Sequence, residues 1–111
     1  DAVLFYTVNS REQRFANGTF PHDFAAVTPQ LARELIARRV SLVGLDAMSI
    51  ESLTDPAYPV HRLLLASGVL ILEGLILSQA APGRYRLACP PLAVAEAEAS
   101  PVRAVLWQEP A

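Results

Sequence analysis

His61 and Glu73 are the two residues of this sequence whose types and spacing point most directly to chemistry. They lie twelve residues apart in its most hydrophobic run, HRLLLASGVLILEGLIL, residues 61–77. An imidazole nitrogen and a carboxylate oxygen can bind the same divalent cation. A carboxyl group among apolar residues is costly to bury in its ionised form, so it should be protonated, paired with a cation or bound to a metal. Two alternatives stay open: a histidine hydrogen-bonded within the core, and an arginine partner for Glu73. The arginines available for that pair are Arg62, Arg84 and Arg86.

The local pattern places these two residues on neighbouring elements. Residues 59–67 predict a helix, since proline suits the first turn and the leucines three and four positions after His61 put the imidazole on the apolar face. Residues 69–73 are short, branched and apolar, which is typical of a strand buried on both faces. The helix rises by about 1.5 Å per residue and the strand returns at about 3.3 Å, so Glu73 is expected beside His61.

The elements around this pair predict an α/β fold. Residues 2–8 are β-branched and aromatic and predict a buried strand. Thr28 begins a helix that is expected to run to about residue 39 and to bury part of one face: Leu31, Leu35 and Ile36. Residues 40–45 predict a second buried strand, so the strand–helix–strand order indicates a partly parallel sheet. Shorter strands are predicted at residues 84–88 and 101–107.

Polar residues just beyond the second strand are candidates for a binding pocket. In open α/β sheets the ligand crevice lies outside the carboxyl ends of the strands, where Asp46 and Ser49 stand. The alternative is a turn in which both side chains bond the backbone. His22 and Asp23 have no second histidine nearby and are interpreted as loop or helix-start residues. Cys89 has no neighbouring histidine in sequence and is not interpreted as a nucleophile.

The composition excludes several classes of partner. The chain has 111 residues, one domain's length, and its 52% hydrophobic content leads us to expect another chain over part of its apolar surface. A net charge of -2 and a pI near 5.6 give no basic footprint, so neither nucleic acid nor membrane is expected as a partner. The apolar run is too short to span a bilayer. A single cysteine, Cys89, is typical of a protein of the reducing cytoplasm.

Four blocks of the sequence, in order, resemble one family. They are VGLDAMSI at 43–50, HRLLLASGVLILEGL at 61–75, PGRYRLACPPL at 82–92 and SPVRAVL at 100–106. The chain is thereby similar to the metal-dependent cyclase-like hydrolases, which include the bacterial kynurenine formamidases (arylformamidases). The resemblance implies a mixed β-sheet that curls into a barrel-like core with flanking helices, of the swivelling β/β/α type.

The same resemblance implies a role for the candidate ligands. The family's metal site uses a His and a Glu separated as His61 and Glu73 are, and the metal would be Zn or Mn. The implied reaction is hydrolysis of a small linear amide, an aryl formamide such as N-formylkynurenine, by metal-activated water. Asp46 and Ser49 would then line the substrate pocket or support the ligands from behind.

One family motif has no match in this chain. The family's other ligands, and the histidine that serves as general base, come from an earlier segment of the form His-Gly-Gly-Thr-His-x-Asp. The chain is therefore expected to be the carboxyl-terminal portion of a larger hydrolase domain, with no catalytic residue of its own. It would be inactive without an amino-terminal half, supplied as a cleaved or separate chain, and the full enzyme is expected to be a homodimer. The alternative is a non-catalytic remnant of the fold that serves as a dimerisation or interaction module.

Overall fold

A computed structural model describes residues 1–110 of the chain. Two compact units are present, one over Asp1–Ala80 and one from Ala81 onward. All four residues predicted to bind metal or line a pocket lie in the first unit. The expected place of the chain within a larger domain stays a prediction.

The first unit is built on a three-stranded parallel sheet. Its strands, in the spatial order β1-β2-β3, are β1 (Ala2–Phe5), β2 (Leu42–Leu45) and β3 (Leu70–Leu72). The helices of this unit are α1 (Val8–Arg11), α2 (Pro29–Ala37) and α3 (Pro59–Ala66). The predicted parallel arrangement is confirmed, because β1 and β3 both run parallel to β2. The carboxyl ends of all three strands therefore lie at the same end of the sheet.

The two longer helices begin where the sequence predicts. The Thr28 hydroxyl caps α2 by accepting a hydrogen bond from the Leu31 N–H at 3.2 Å. Of the predicted apolar face of α2, Leu35 is buried, whereas Leu31 and Ile36 are half-buried. The N-cap residue of α3, Tyr58, has a left-handed backbone conformation, and its side chain makes no capping hydrogen bond. The first amide groups of α3 must therefore find another acceptor.

The core of the first unit combines residues of the sheet, of α2 and α3, and of the loops that follow the strands. Its buried hydrophobic residues are Phe24, Val27, Ala32, Leu35, Val40, Val43, Leu45, Ala47, Ile50, Val60, Leu64 and Val69. Gly44, in the middle of β2, has the side chains of Leu4 and Leu75 packed against it. A Cβ atom at this position would lie 2.8 Å from Leu75 Cδ1, so a larger residue there would force the Leu4 and Leu75 side chains to shift.

Three details of the predicted elements are wrong. β1 ends at Phe5, short of the predicted residue 8. β3 is not buried along its whole length: on the face that Leu70 and Leu72 share, Leu72 is 8% exposed but Leu70 is 63% exposed, so the strand is uncovered where it begins. On α3, Leu64 is fully buried whereas Leu65 is 56% exposed, so the buried face of this helix is narrower than predicted.

The second unit contains a two-stranded antiparallel sheet. Its strands are β4 (Arg86–Ala88) and β5 (Val105–Trp107), which fall within the two short strands predicted from the sequence. An isolated bridge between Pro91 and Val102 extends the pairing. Within residues 1–110 neither sheet closes into a barrel. No helix in that range has both the length and the apolar character that crossing a membrane requires.

Candidate metal centre

His61 and Glu73 meet at the carboxyl ends of the parallel strands. His61 lies in the first turn of α3, and Glu73 directly follows β3. Their facing atoms, His61 Nε2 and Glu73 Oε1, are 3.2 Å apart. The exposed fractions of the two side chains are 29% and 34%, so solvent and small ligands can reach the pair. The convergence expected from the sequence is present, while the assignment of both residues as metal ligands stays a prediction.

The loop after β2 holds Glu73 in place. The Ile50 N–H donates a hydrogen bond to Glu73 Oε1 at 2.7 Å. The next residue, Gly74, has φ +70° and donates its N–H to the Ala47 carbonyl at 2.7 Å. Glycine adopts this left-handed conformation without the steric cost that a Cβ brings. The chain therefore turns immediately after Glu73 and leaves its carboxylate directed at α3.

A third acidic residue, Glu51, lies on the other side of the imidazole. It is 3% exposed, and its Oε1 is 2.6 Å from His61 Nδ1. Oε1 also accepts the His61 N–H at 2.9 Å, and Oε2 accepts the Val60 N–H at 3.1 Å. The Glu51 carboxylate thus caps the N-terminus of α3 in place of Tyr58, where negative charge is favourable.

The gap between His61 and Glu73 suits a positively charged occupant. A neutral ring whose Nε2 carries no proton presents a lone pair to the Glu73 oxygen, and two such atoms repel each other unless a proton or a cation lies between them. Two ligands about 2.1 Å from a tetrahedral Zn²⁺ lie about 3.4 Å apart. The observed 3.2 Å separation is close to that value, so this donor pair fits a divalent cation.

The pair forms only part of a metal site. Catalytic zinc usually has three protein ligands and one open position. Within residues 1–110, no group of three or more His, Cys, Asp or Glu side chains is placed to hold a metal ion. Glu51 does not complete the set, because it binds the Nδ1 side of the ring, opposite the Nε2 atom that faces Glu73. The remaining ligands must come from elsewhere if a catalytic metal binds here.

Within the first unit, Glu73 faces a histidine and not Arg62, which donates its Nε–H to a backbone carbonyl at 2.8 Å. Among the residues that the structure describes in this unit, the side chain within ion-pair distance of Glu73 is His61, which is charged only if it is protonated. Arg84 and Arg86 lie in the second unit, where Arg86 pairs with Glu109 at 3.0 Å, and their part of the arginine alternative stays open.

Asp46 lies directly beyond β2, as predicted, and anchors the segment that follows β1. It is 3% exposed. Its Oδ2 accepts the N–H groups of Thr7 at 2.8 Å and Ser10 at 3.1 Å, and its Oδ1 accepts the Thr7 hydroxyl at 2.7 Å. Burial by itself raises the pKa of Asp46, but the hydrogen bonds from Ser10 and Thr7 outweigh burial and place the pKa below its usual range. Asp46 is therefore an ionised anchor between two strand ends.

Ser49 also uses its side chain within the loop. Its hydroxyl donates to the Glu51 carbonyl at 2.8 Å, and the residue is 8% exposed. Ser49 thus makes the local hydrogen bond that the turn alternative predicts, whereas Asp46 bonds backbone groups 36 and 39 residues away. The place of both residues in a substrate pocket stays a prediction. His22 and Asp23 belong to the segment between α1 and α2, where the Asp23 carbonyl accepts a hydrogen bond from Arg14 at 2.8 Å.

Sequence reasoning missed Glu51 and Asn9. Glu51 had a usable signal: α3 begins with a proline after Tyr58, which is not a capping residue, and the acids closest before it are Glu51 and Asp55. Asn9 is 1% exposed and bonds the Ala25 backbone through both ends of its amide, at 3.0 Å each. Its role depends on a contact across 16 residues, which no local pattern encodes.

Curated proteins of known name resemble the chain in sequence. It is 43% identical over 88 residues to a kynurenine formamidase of Geobacillus thermodenitrificans, covering 79% of this chain and 42% of that protein. It is 41% identical over 91 residues to a kynurenine formamidase of Salinibacter ruber, covering 82% of this chain and 43% of that protein. No protein-family model matches the chain. The chain therefore spans less than half the length of these curated relatives.

Two solved structures share its fold. One, described as a potential metal-dependent hydrolase with cyclase activity, has a TM-score of 0.86 at 36% identity, covering 99% of this chain and 52% of that chain. The other, a predicted metal-dependent hydrolase from Bacillus stearothermophilus, has a TM-score of 0.84 at 36% identity, covering 96% of this chain and 49% of that chain. The mixed α/β fold is thus that of the cyclase-like hydrolases, and the chain belongs to the family of cyclase-like metal-dependent hydrolases. Within this family, the curated relatives described above carry the name kynurenine formamidase.

Proposed function

We propose that this chain is the carboxyl-terminal half of a metal-dependent amidohydrolase that cleaves an aryl formamide. N-formylkynurenine is the substrate class that the names of the curated relatives suggest. The observation that carries the proposal is the 3.2 Å distance between His61 Nε2 and Glu73 Oε1 at the carboxyl ends of the parallel strands. The reaction adds water across the formyl C–N bond: the oxygen of water ends in formate, and the amine nitrogen leaves with a proton.

His61 and Glu73 would hold a divalent cation, Zn or Mn, through Nε2 and a carboxylate oxygen. When bound, such a cation supplies Lewis acidity, which lowers the pKa of a water molecule and polarises the formyl carbonyl. Zn²⁺ and Mn²⁺ both accept an imidazole and a carboxylate, so the donor types do not choose between them.

In this proposal the residues of this chain hold the metal-binding side chains in position, and none of them transfers a proton to or from the substrate. Ile50 fixes the Glu73 carboxylate through its N–H, and Asp46 ties the segment after β1 to the end of β2. Glu51 and His61 are hydrogen-bonded to each other, so neither is free to act as general base on the substrate. We infer that the general base is a histidine of the amino-terminal half, and that Asp46 and Ser49 contribute to the pocket wall or support it.

The amino-terminal half would also complete the fold. β1 and β3 each pair with β2 alone among the described strands, which leaves an open edge on each side of the parallel sheet. Strands of the missing half added at these edges would extend the sheet toward the barrel-like core of the family. The complete enzyme is proposed to be a cytoplasmic homodimer that acts on a small molecule.

The test is reconstitution with the missing half. The mass of every polypeptide that co-purifies with this chain identifies a partner, and the assay is release of formate and arylamine from a formyl-arylamine with Zn²⁺ or Mn²⁺ present. We expect turnover from the assembled protein and none from either half alone. An assembled protein that binds neither metal and releases no formate would instead favour the non-catalytic interaction module.

A further inference from the structure

Glu51 is a buried carboxylate whose hydrogen bonds all go to one turn of helix and to the histidine on that turn. Two backbone donors and one ring nitrogen reach its two oxygens: the Val60 N–H at 3.1 Å, the His61 N–H at 2.9 Å and His61 Nδ1 at 2.6 Å. At 3% exposure it is shielded from bulk water. A buried acid without such contacts would be costly, so these hydrogen bonds compensate the burial of the Glu51 side chain.

We propose that Glu51 is the positioning residue that fixes the tautomer and the orientation of the His61 ring. An ionised carboxylate can only accept hydrogen bonds, so the 2.6 Å contact places the proton of a neutral ring on Nδ1. Nε2 then keeps its lone pair and faces Glu73. Without Glu51 the ring would be free to rotate or to carry its proton on Nε2, and either change removes the donor atom from the gap. The proposal rests on the metal-binding function proposed above only where it concerns metal affinity.

The backbone bonds of Glu51 make this positioning rigid. The same Oε1 atom binds the amide and the ring of His61, so the carboxylate, the helix start and the imidazole form one hydrogen-bonded unit. The Glu51 backbone is held in turn by Ser49, whose hydroxyl donates to the Glu51 carbonyl at 2.8 Å. The ring orientation is therefore set by the loop after β2, which also supplies the Ile50 N–H to Glu73.

Glu51→Leu is the sharpest variant for the ring tautomer, because leucine offers Nδ1–H no acceptor. Glu51→Gln is the milder comparison, since glutamine keeps the shape but has a single acceptor oxygen. If that oxygen replaces Oε1, the amide NH2 faces the Val60 N–H, and one helix-start donor loses its acceptor. If it replaces Oε2, the NH2 faces Nδ1, which must then accept, and the ring proton moves to Nε2. In neither arrangement are all three donors satisfied.

The measurement is the ring 15N chemical shifts of His61, recorded without metal and with the ring neutral, in the form of the protein that folds. Labelling only this chain with 15N-histidine leaves two imidazoles, so His22 serves as the internal reference. Zn²⁺ affinity is measured separately, by competition with a chelating dye. We expect an Nδ1–H tautomer in the wild type, a shift toward Nε2–H in Glu51→Leu, and a Zn²⁺ affinity lower in that variant by about 10- to 100-fold. Glu51→Gln should shift the tautomer only where its NH2 faces Nδ1.

Two control variants separate positioning from simple loss of stability. Val60→Ala removes packing at the same helical turn but keeps the backbone N–H, and Asp55→Asn removes an exposed charge from the same loop. Both should keep the Nδ1–H tautomer and nearly the wild-type Zn²⁺ affinity. An unchanged tautomer in Glu51→Leu would overturn the proposal, and so would Val60→Ala weakening Zn²⁺ binding as much as Glu51→Leu does. If replacing Glu51 removes the Nδ1–H tautomer but neither the wild type nor any variant binds Zn²⁺, the positioning role stands and the proposed metal function fails.

Discussion

Glu73 makes both of its polar contacts through one carboxylate oxygen. Oε1 accepts the Ile50 N–H at 2.7 Å and faces His61 Nε2 at 3.2 Å. The first contact needs only an acceptor, whereas the second needs a proton or a cation between the two atoms. The negative charge of Glu73 is therefore the property that a metal ligand requires and a structural residue does not.

Glu73→Gln separates these two roles in the assembled protein. The amide oxygen still accepts the Ile50 N–H, so the folded state should change little in thermal stability. Loss of the charge should weaken Zn²⁺ or Mn²⁺ binding by at least about tenfold, and hydrolysis should fall with it. Elemental analysis after dialysis and a formate-release assay measure both effects. Wild-type metal content and activity in this variant would show that Glu73 is structural.

Asp46→Asn probes the anchor between the ends of β1 and β2. With its oxygen in the Oδ2 place, the amide still accepts the Thr7 and Ser10 N–H groups, but its NH2 then meets the Thr7 hydroxyl and the Asn9 amide, which both donate to Oδ1 in the wild type. We expect a loss of about 1–3 kcal/mol from the missing acceptor. Urea unfolding at neutral pH measures this loss. A change within experimental error would mean that water replaces the lost acceptor.

The same carboxyl predicts a pH dependence of stability. Because folding lowers the pKa of Asp46, its contribution to stability is fully present above the unfolded pKa of about 4 and is lost as the pH falls through the folded value. The unfolding midpoint of the wild type should drop as the pH falls below about 4, and that of Asp46→Asn should lack this component. Parallel pH profiles for the two proteins would contradict the assignment.

At the scale of elements, α3 connects the core to the candidate site. It buries Leu64 completely, carries His61 in its first turn, and is capped by Glu51 from the preceding loop. The helix is only 8 residues long, so its own hydrogen bonds cannot keep it folded. Packing of Leu64 and the cap by Glu51 are therefore what keep His61 in place.

Adjacent leucines on α3 provide a matched test of this dependence. Leu64→Ala should destabilise the first unit by about 2–5 kcal/mol, as cavity-forming core substitutions do. Leu65→Ala, at a position 56% exposed, should stay within about 0.5 kcal/mol. Chemical unfolding of both variants gives the comparison. Equal losses would mean that the face of α3 bearing Leu65 is covered in the folded protein.

At the scale of the whole molecule, large apolar side chains remain uncovered in the first unit. Leu70 is 63% exposed and Ile76 is 89% exposed, and the two edge strands of the parallel sheet have no second partner within the described residues. Open edges and exposed apolar groups are sites of association with other chains. We therefore expect this chain to be stable when it is bound to a partner.

The isolated chain should bind no catalytic metal tightly and should not hydrolyse formamides. It offers two ligands where a catalytic zinc needs three, and its two edge strands favour aggregation. Light scattering, elemental analysis and the formamide assay on the purified chain test this expectation. A soluble monomer with one tightly held metal and measurable turnover would refute it, and would mean that His22, Asp23 or Asp46 supplies a ligand.

The sequence by itself determined the order of the strands and of the two longer helices, and the meeting of His61 with Glu73, but not the short helix α1. Both follow from short-range properties: proline and capping residues at helix starts, β-branched runs in strands, and the fixed rise per residue of each. The parallel sheet followed from the same order, because a strand–helix–strand connection returns the chain in the same direction.

Only the tertiary structure decided which faces are buried and which groups hold the site. The exposure of Leu65 and Leu70 depends on what the rest of the protein covers, and periodicity cannot report that. Glu51 reaches His61 because the loop after β2 folds over the start of α3, and Asp46 reaches Thr7 across 39 residues because β1 and β2 are neighbours in the sheet. Contacts of this kind arise from the packing of distant segments, so they have no signature in the spacing of nearby residues.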